Sequence, residues 1–296
     1  MPDEFEEKVT IEKRGLIEDF IERTPGNLGS LFCFPEFIVF EKYKYFYNIF
    51  ENLLCISENC DGRIIILPPL GDYNLKNFCK AIDKIFDFFE KRVLIFGHIP
   101  SQLLGFFLSL GKKYRIRFFY NIDSSDYLYQ TEKLKNLIKN SKKRRHSYNN
   151  FVRKYKPEIE EINSENKQMC YEITKNFFCK QNCKNCVYGC EKKIISTTIE
   201  KYEKLGYMGF FVKLDSDYIG FSLNKKVKNQ LYFHQKKMAH INGLNEYIIN
   251  SNEKKYEDTI LSNCSEDMGI LGLRIHKSRI CEYTLKHKFF ARIIKI

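Results

Sequence analysis

NCSEDMGILGLRIHK, Asn263 to Lys277, carries the most specific pattern in the chain. Two adjacent acids, Glu266 and Asp267, precede two spaced glycines, Gly269 and Gly272, and then Arg274 and Lys277. No amphipathic period generates that order. The glycines suit a tight turn whose backbone approaches a neighbour closely. Acids beside Arg274 and Lys277 make charge-assisted contacts, either with one another in an ion-pair corner or with a bound anion. In the second reading Asn263, Arg274 and Lys277 hold a phosphate or carboxylate, and Glu266 or Asp267 orients an amine.

Upstream, Ser141 to Lys156 reads SKKRRHSYNNFVRKYK, with seven Lys or Arg and no acid. A helix this basic repels itself unless an anion lies nearby; the plain alternative is a solvated face. Tyr148 and Tyr155 interleave aromatic surface, as nucleic-acid sites do. Lys142, Lys143, Arg144, Arg145 and Asn149 are therefore candidates for contact with nucleic acid or another anionic ligand.

These two stretches resemble the phosphatidylglycerol lysyltransferase C-terminal family, within the GNAT-like acyltransferase superfamily. Asn263, Glu266, Asp267, Gly269, Gly272, Leu273, Arg274 and Lys277 match its closing motif, with Cys264 where the family usually has Arg. Lys142 to Arg145, Asn149 and Phe151 match its basic helix, with His146 and Ser147 at the usual Asn-His pair. ILPPLGD, Ile66 to Asp72, resembles a first-domain turn. YFHQKKMAHINGLNEYIIN, Tyr232 to Asn250, resembles a strand, loop and helix in which His234, Lys236, Lys237 and Gly243 surround a phosphate-cradling helix start. The resemblance implies an α/β (α+β) fold of tandem GNAT-like domains, each a mixed, mostly antiparallel sheet flanked by helices. It also implies acyl transfer, with aminoacyl-tRNA as donor and an unspecified acceptor. His234 is a catalytic candidate beside Glu266 and Asp267, although a lone histidine is more often a satisfied core residue. Acyl-CoA is the alternative donor, and the single glycine of MAHINGL argues against it. A non-catalytic nucleic-acid-binding module is the other alternative.

Element order divides the chain near residue 125. Strand and helix patterns alternate up to YRIRFFYN, Tyr114 to Asn121, and again from the basic segment to the closing HKFFARIIKI. The expected domains are 1–125 and 126–296. FFCKQNCKNCVYGCEK holds Cys179, Cys183, Cys186 and Cys190, a spacing open to zinc or, second, an iron–sulfur cluster. The same spacing also fits one buried helical face.

The chain has 296 residues, 44% hydrophobic and 29% charged, so a sizeable core is expected. Its formal charge of +12 favours anionic partners. No stretch approaches the ~20 apolar residues of a spanning helix. The start MPDEFEEKVT is acidic where a secretory signal would be basic, and eleven cysteines without such a signal suit reduced thiols in a cytoplasm. No Ser-His-Asp, metal-hydrolase or P-loop pattern is present.

Overall fold

The turn at Asp61-Gly62 shows how local signals build the first half. Both residues have positive φ, 52° and 79°, the left-handed pair that a two-residue hairpin requires. They join β3 (Leu53–Cys60) to β4 (Arg63–Ile66) in antiparallel register. The structure, a computed structural model, describes Pro2 and residues 4–26, 28–72, 74–177 and 190–296. Before the hairpin come β1 (Glu7–Lys8), α1 (Arg14–Arg23), α2 (Glu36–Val39) and β2 (Lys44–Phe50).

Asn74 and Asn77 form a reciprocal capping box that starts α3 (Leu75–Phe89). Phe78, Ile82, Ile85, Phe86 and Phe89 lie buried along one face of α3. That face packs on α4 (Leu104–Leu108) and β6 (Tyr114–Tyr120) through Phe78–Phe107 and Phe86–Tyr114 ring contacts at 5.1 and 4.8 Å, and Phe107 in turn meets Phe96 of β5 (Val93–Pro100) at 5.5 Å. Each such ring contributes about 1.5–3 kcal/mol by leaving water.

The second half begins with β7 (Asp126–Gln130), α5 (Thr131–Lys135), α6 (Leu137–Asn140) and α7 (Lys142–Tyr155), the last being the basic segment capped by Ser141. There follow β8 (Glu158–Glu161), α8 (Met169–Phe177), α9 (Glu191–Glu200), α10 (Tyr202–Leu205), β9 (Met208–Leu214) and β10 (Asp217–Val227). The chain closes with β11 (Gln230–Met238), α11 (Leu244–Lys255), β12 (Leu261–Asn263), α12 (Leu271–Ser278), β13 (Thr284–Lys286) and β14 (Lys288–Lys295).

The two sheets have the same plan. The first runs β1-β2-β3-β4-β5-β14-β6 and the second β8-β9-β10-β11-β12-β7-β13. In each, the fourth and fifth strands are parallel, β4 with β5 and β11 with β12. In each, the sixth strand is far in sequence from both of its neighbours. β7 follows β6 in sequence yet pairs with β12, and β14 follows β13 yet pairs with β5 and β6. The compact units are accordingly Met1–Asp126 with Lys286–Ile296, and Tyr127–Leu285. This corrects the expected 126–296 domain: its last residues belong to the first unit, because the buried side of β14, Ala291 and Ile293, completes that core.

Beneath α11 the second unit buries polar groups. Asn224, Asn252 and Ser222 close a hydrogen-bonded ring with distances of 2.7, 2.9 and 3.0 Å. The next residue of α11, Glu253, accepts from Ser262 Oγ at 2.9 Å, while its Oε2 has no partner among the described residues. Burial pushes the Glu253 carboxyl from 4.5 up to about 7. The folded protein therefore keeps this proton up to about pH 7, whereas the unfolded chain releases it near 4.5. Stability falls as pH rises across that window, by about 3 kcal/mol. Glu253→Gln is expected to abolish the slope and raise the melting temperature at pH 8. An unchanged slope in thermal melts between pH 5 and 8 would refute the assignment.

Candidate functional site

The pairing of β11 with β12 lasts three residues, Gln230–Tyr232 against Leu261–Asn263. Beyond Tyr232, β11 continues to Met238 with β10 as its partner, so the two parallel strands part. The register with β10 slips at His234, which is the extra residue of a β-bulge: Phe233 faces Asn224 and Gln235 faces Leu223. A bulge resets the alternation of faces. Lys236 is thereby turned to the same side as Phe233, toward α11, instead of the opposite one.

There Lys236 Nζ donates to Asn245 Oδ1 at 2.7 Å. Burial, with Lys277 adding to it, holds the Lys236 ammonium below its ordinary value. Arg144, from α7, donates to Glu246 Oε1 at 2.7 Å and to the Arg279 carbonyl. His276 on α12 is pushed down to about 4 by desolvation and by Lys236 and Arg144, so it is a neutral imidazole at physiological pH. The Cys264 thiol is pushed up to about 11 by burial, against the pull of Lys277 and Lys236. Lys236, Asn245, Glu246, Arg144, His276 and Cys264 thus form one half-buried polar cluster beside the opening of the sheet.

The closing motif forms the wall of this cluster and is bonded to itself. Asp267, 1% exposed, accepts from Arg274 Nε at 2.8 Å and Nη2 at 2.9 Å, from Tyr127 Oη at 2.7 Å and from the Gly269 amide at 2.9 Å. The Arg274 guanidinium above all holds the Asp267 carboxyl down to about 2. Lys277 Nζ caps the carbonyls of Cys264, Ser265 and Glu266 at 2.6, 3.2 and 2.7 Å. Asn263 Oδ1 accepts from the Ser265 amide at 2.7 Å. This geometry is that of the ion-pair corner, an anchor for the loop between β12 and α12. Gly269 makes its turn at φ 72°, but Gly272 lies in α12 with nothing near it, so the close approach expected there does not occur.

The other sequence-predicted residues are dispersed. His234 is bonded through Nδ1 to Tyr207 Oη at 2.8 Å, and Lys237 pairs with Glu191 on α9; neither joins the Lys236 cluster. Lys142, Lys143, Arg145 and Asn149 are exposed on α7, with Arg145 bonded to the Lys139 carbonyl. Gly243, at φ 90°, lets the start of α11 meet α7: an added Cβ would stand 2.3 Å from the Ser147 carbonyl oxygen and 2.6 Å from Phe151 Cβ. Its bareness serves helix packing. Gly243→Ala is expected to cost about 3 kcal/mol in urea denaturation; a loss below about 0.5 kcal/mol would show that the helices give way. Cys179, Cys183 and Cys186 lie outside the described residues, and Cys190 precedes α9 as its N-cap. Among the described residues no group of three or more His, Cys, Asp or Glu is placed to hold a metal ion.

The profile of the phosphatidylglycerol lysyltransferase C-terminal family matches residues 29–279. The chain belongs to that family. Family membership agrees with the fold of solved structures. A conserved protein of unknown function from Bacteroides thetaiotaomicron VPI-5482 superposes with a TM-score of 0.84 at 20% identity, over 97% of this chain and 98% of the other. The L-PGS from Bacillus licheniformis gives 0.70 at 14% identity, over 97% and 93%. A tandem GNAT protein from the clavulanic acid biosynthesis pathway gives 0.53 at 5%, over 98% and 97%. The fold of this family member is therefore a tandem GNAT-like one. No curated protein matches the sequence. No described helix is long and apolar enough to cross a membrane.

Sequence reading named Lys236 and Arg144 but missed Asn245, Glu246 and His276. Glu246 and His276 sit at helix positions that look like ordinary solvated charge. Their signal is the partner each acquires in three dimensions.

Proposed function

We propose that the protein is an aminoacyl transferase that takes its acyl group from aminoacyl-tRNA and works at the opening between β11 and β12. The observation that carries the reading is Lys236: a half-buried ammonium, below its ordinary pKa, beside strands that part. Membership in a family named for lysyl transfer supports the donor class. An aminoacyl ester is already activated, so the site has to position an acceptor, stabilise an oxyanion and move one proton.

In this reading the Lys236 ammonium faces the oxyanion formed when the acceptor attacks the ester carbonyl. As the intermediate collapses, Lys236 gives its proton to the departing ribose oxygen. The neutral amine then takes a proton from the acceptor nitrogen or oxygen, and the protons balance. A lowered pKa suits both steps. The Arg144–Glu246 pair holds α7 against α11 beside the reacting groups, and neutral His276 adds no competing charge. The corner at Asp267, Arg274 and Lys277 keeps the wall rigid.

Acyl-CoA remains the alternative donor, and the packing of Gly243 against α7 removes the one glycine that spoke for a pyrophosphate loop. Thermal-shift titration against charged tRNA, deacylated tRNA and an acyl-CoA panel tests the choice. A ligand at a hundredfold excess over its Kd contributes ~2.7 kcal/mol of stability. A shift with charged tRNA that shrinks on deacylation is expected. A shift with acyl-CoA alone overturns the donor, and tRNA binding that never releases the amino acid to any nucleophile points to the non-catalytic module.

A further inference from the structure

β4, β5, β14 and β6 read RIII, VLIFGHIP, KFFARIIK and YRIRFFY, and contain no Asp or Glu. Pairing sorts their side chains into two faces. Ala291, Ile293, Phe96 and Tyr114 are buried toward α3 and α4. On the other face Arg292 stands opposite Arg117, and Phe290 opposite Phe119. The two rings are stacked at 5.6 Å and 13°, with Phe119 48% exposed. Gly97 lies beside them, and a Cβ there would meet Ile65 at 2.5 Å and the Phe290 ring at 2.9 Å. The bare glycine keeps this part of the face flat. Arg63, two residues before Ile65 on β4, shares the face, as does Arg115 on β6. All four arginines are exposed, and none has an ion pair or side-chain hydrogen bond among the described residues.

Four unpaired guanidinium groups cost electrostatic repulsion that an anion would relieve; Glu58 on β3, opposite Ile65, shares the face but is buried and bonded to Tyr45. The exposed Phe119 ring, stacked on the half-buried Phe290, adds a surface for flat, unpaired bases. Strands spaced ~4.8 Å apart spread the arginines over a width of about 14 Å, the scale of a few nucleotides. We propose that this face of the first sheet binds a single-stranded segment of RNA, with Arg63, Arg115, Arg117 and Arg292 on phosphates and Phe119 and Phe290 under bases. The choice of RNA over other single strands rests on the aminoacyl-tRNA reading; the surface itself does not.

The test is fluorescence anisotropy of the full chain with a labelled, unstructured twelve-nucleotide RNA, without aminoacylation or turnover. Phe119→Ala is expected to weaken binding about five- to a hundredfold, and Phe119→Trp to restore it. Arg117→Gln with Arg292→Gln is expected to weaken binding and flatten the salt dependence by about 1.4 logarithmic units per decade. Circular dichroism melts confirm that these surface variants fold. Binding within twofold of the parent in both sets overturns the proposal, as does a duplex bound as tightly as the single strand. Loss on arginine removal alone, with inorganic polyphosphate competing as well as RNA, also overturns it by marking a general polyanion site. RNA binding at this face without any acyl transfer sinks the catalytic reading and leaves this one standing; a DNA strand bound in preference to RNA overturns the choice of RNA.

Discussion

Lys236→Met lowers kcat/KM for aminoacyl transfer by about 100-fold or more, with most of the loss in kcat and little change in melting temperature. The size follows from losing both an oxyanion partner and a positioned proton carrier, the latter alone contributing about 10²–10⁴-fold. Stability is spared because methionine keeps the aliphatic stem and removes a half-buried charge. In the parent, the alkaline limb of the pH–rate profile should fall below 10.5, the ordinary lysine value, since burial lowers the Lys236 pKa. Single-turnover kinetics with a pre-charged tRNA would separate the chemical step from binding. Activity within threefold of the parent would remove Lys236 from the mechanism. Asp267→Asn provides the contrast: its carboxylate is bonded to Arg274 and Tyr127, so it is expected to act on stability.

The second large effect concerns β14 and β7, the strands that pair with partners distant in sequence. Ile293→Asp, in β14, places a carboxylate in the fully buried core of the first unit. A loss of about 4 kcal/mol or more is expected, from an unpaired charge and lost packing together. Hydrogen exchange should show β5 and β6 losing protection, although the substituted residue is near the other end of the chain. Tyr129→Ala in β7 should do the reverse and loosen β12 and the Lys277 carbonyl that Tyr129 Oη bonds at 2.8 Å. If each change instead loosens only the elements next to it in sequence, the strand order is wrong.

Most elements were legible because their signals are local. Asp61-Gly62 specified a hairpin, the spacing of Phe78, Ile82 and Phe86 specified a helix, and MGFFVKL with DYIGFSL specified a strand pair that is β9 and β10. HKFFARIIKI was legible as a strand, but its place between β5 and β6 was not, since nothing in ten residues states a partner so far away. The site divides in the same way. Arg274 and Lys277 announced themselves by motif, and the structure shows their charges spent on Asp267 and on three carbonyls. Lys236 owes its surroundings to the bulge at His234, a one-residue slip that depends on how β11 settles against β10 and β12.

The placement of β14 in the first sheet also bears on how the chain is made. As synthesis proceeds, β1 to β6 emerge first and can pair, yet the slot between β5 and β6 stays vacant until β14 has been translated. Two hydrogen-bonding edges, one ending in RFFY, are open throughout that interval. Pairings this distant in sequence are slow to form. The nascent first unit is therefore open to wrong edge pairing until its last strand arrives, and a chain cut before β14 leaves the first sheet a strand short, whereas the second unit is continuous in sequence.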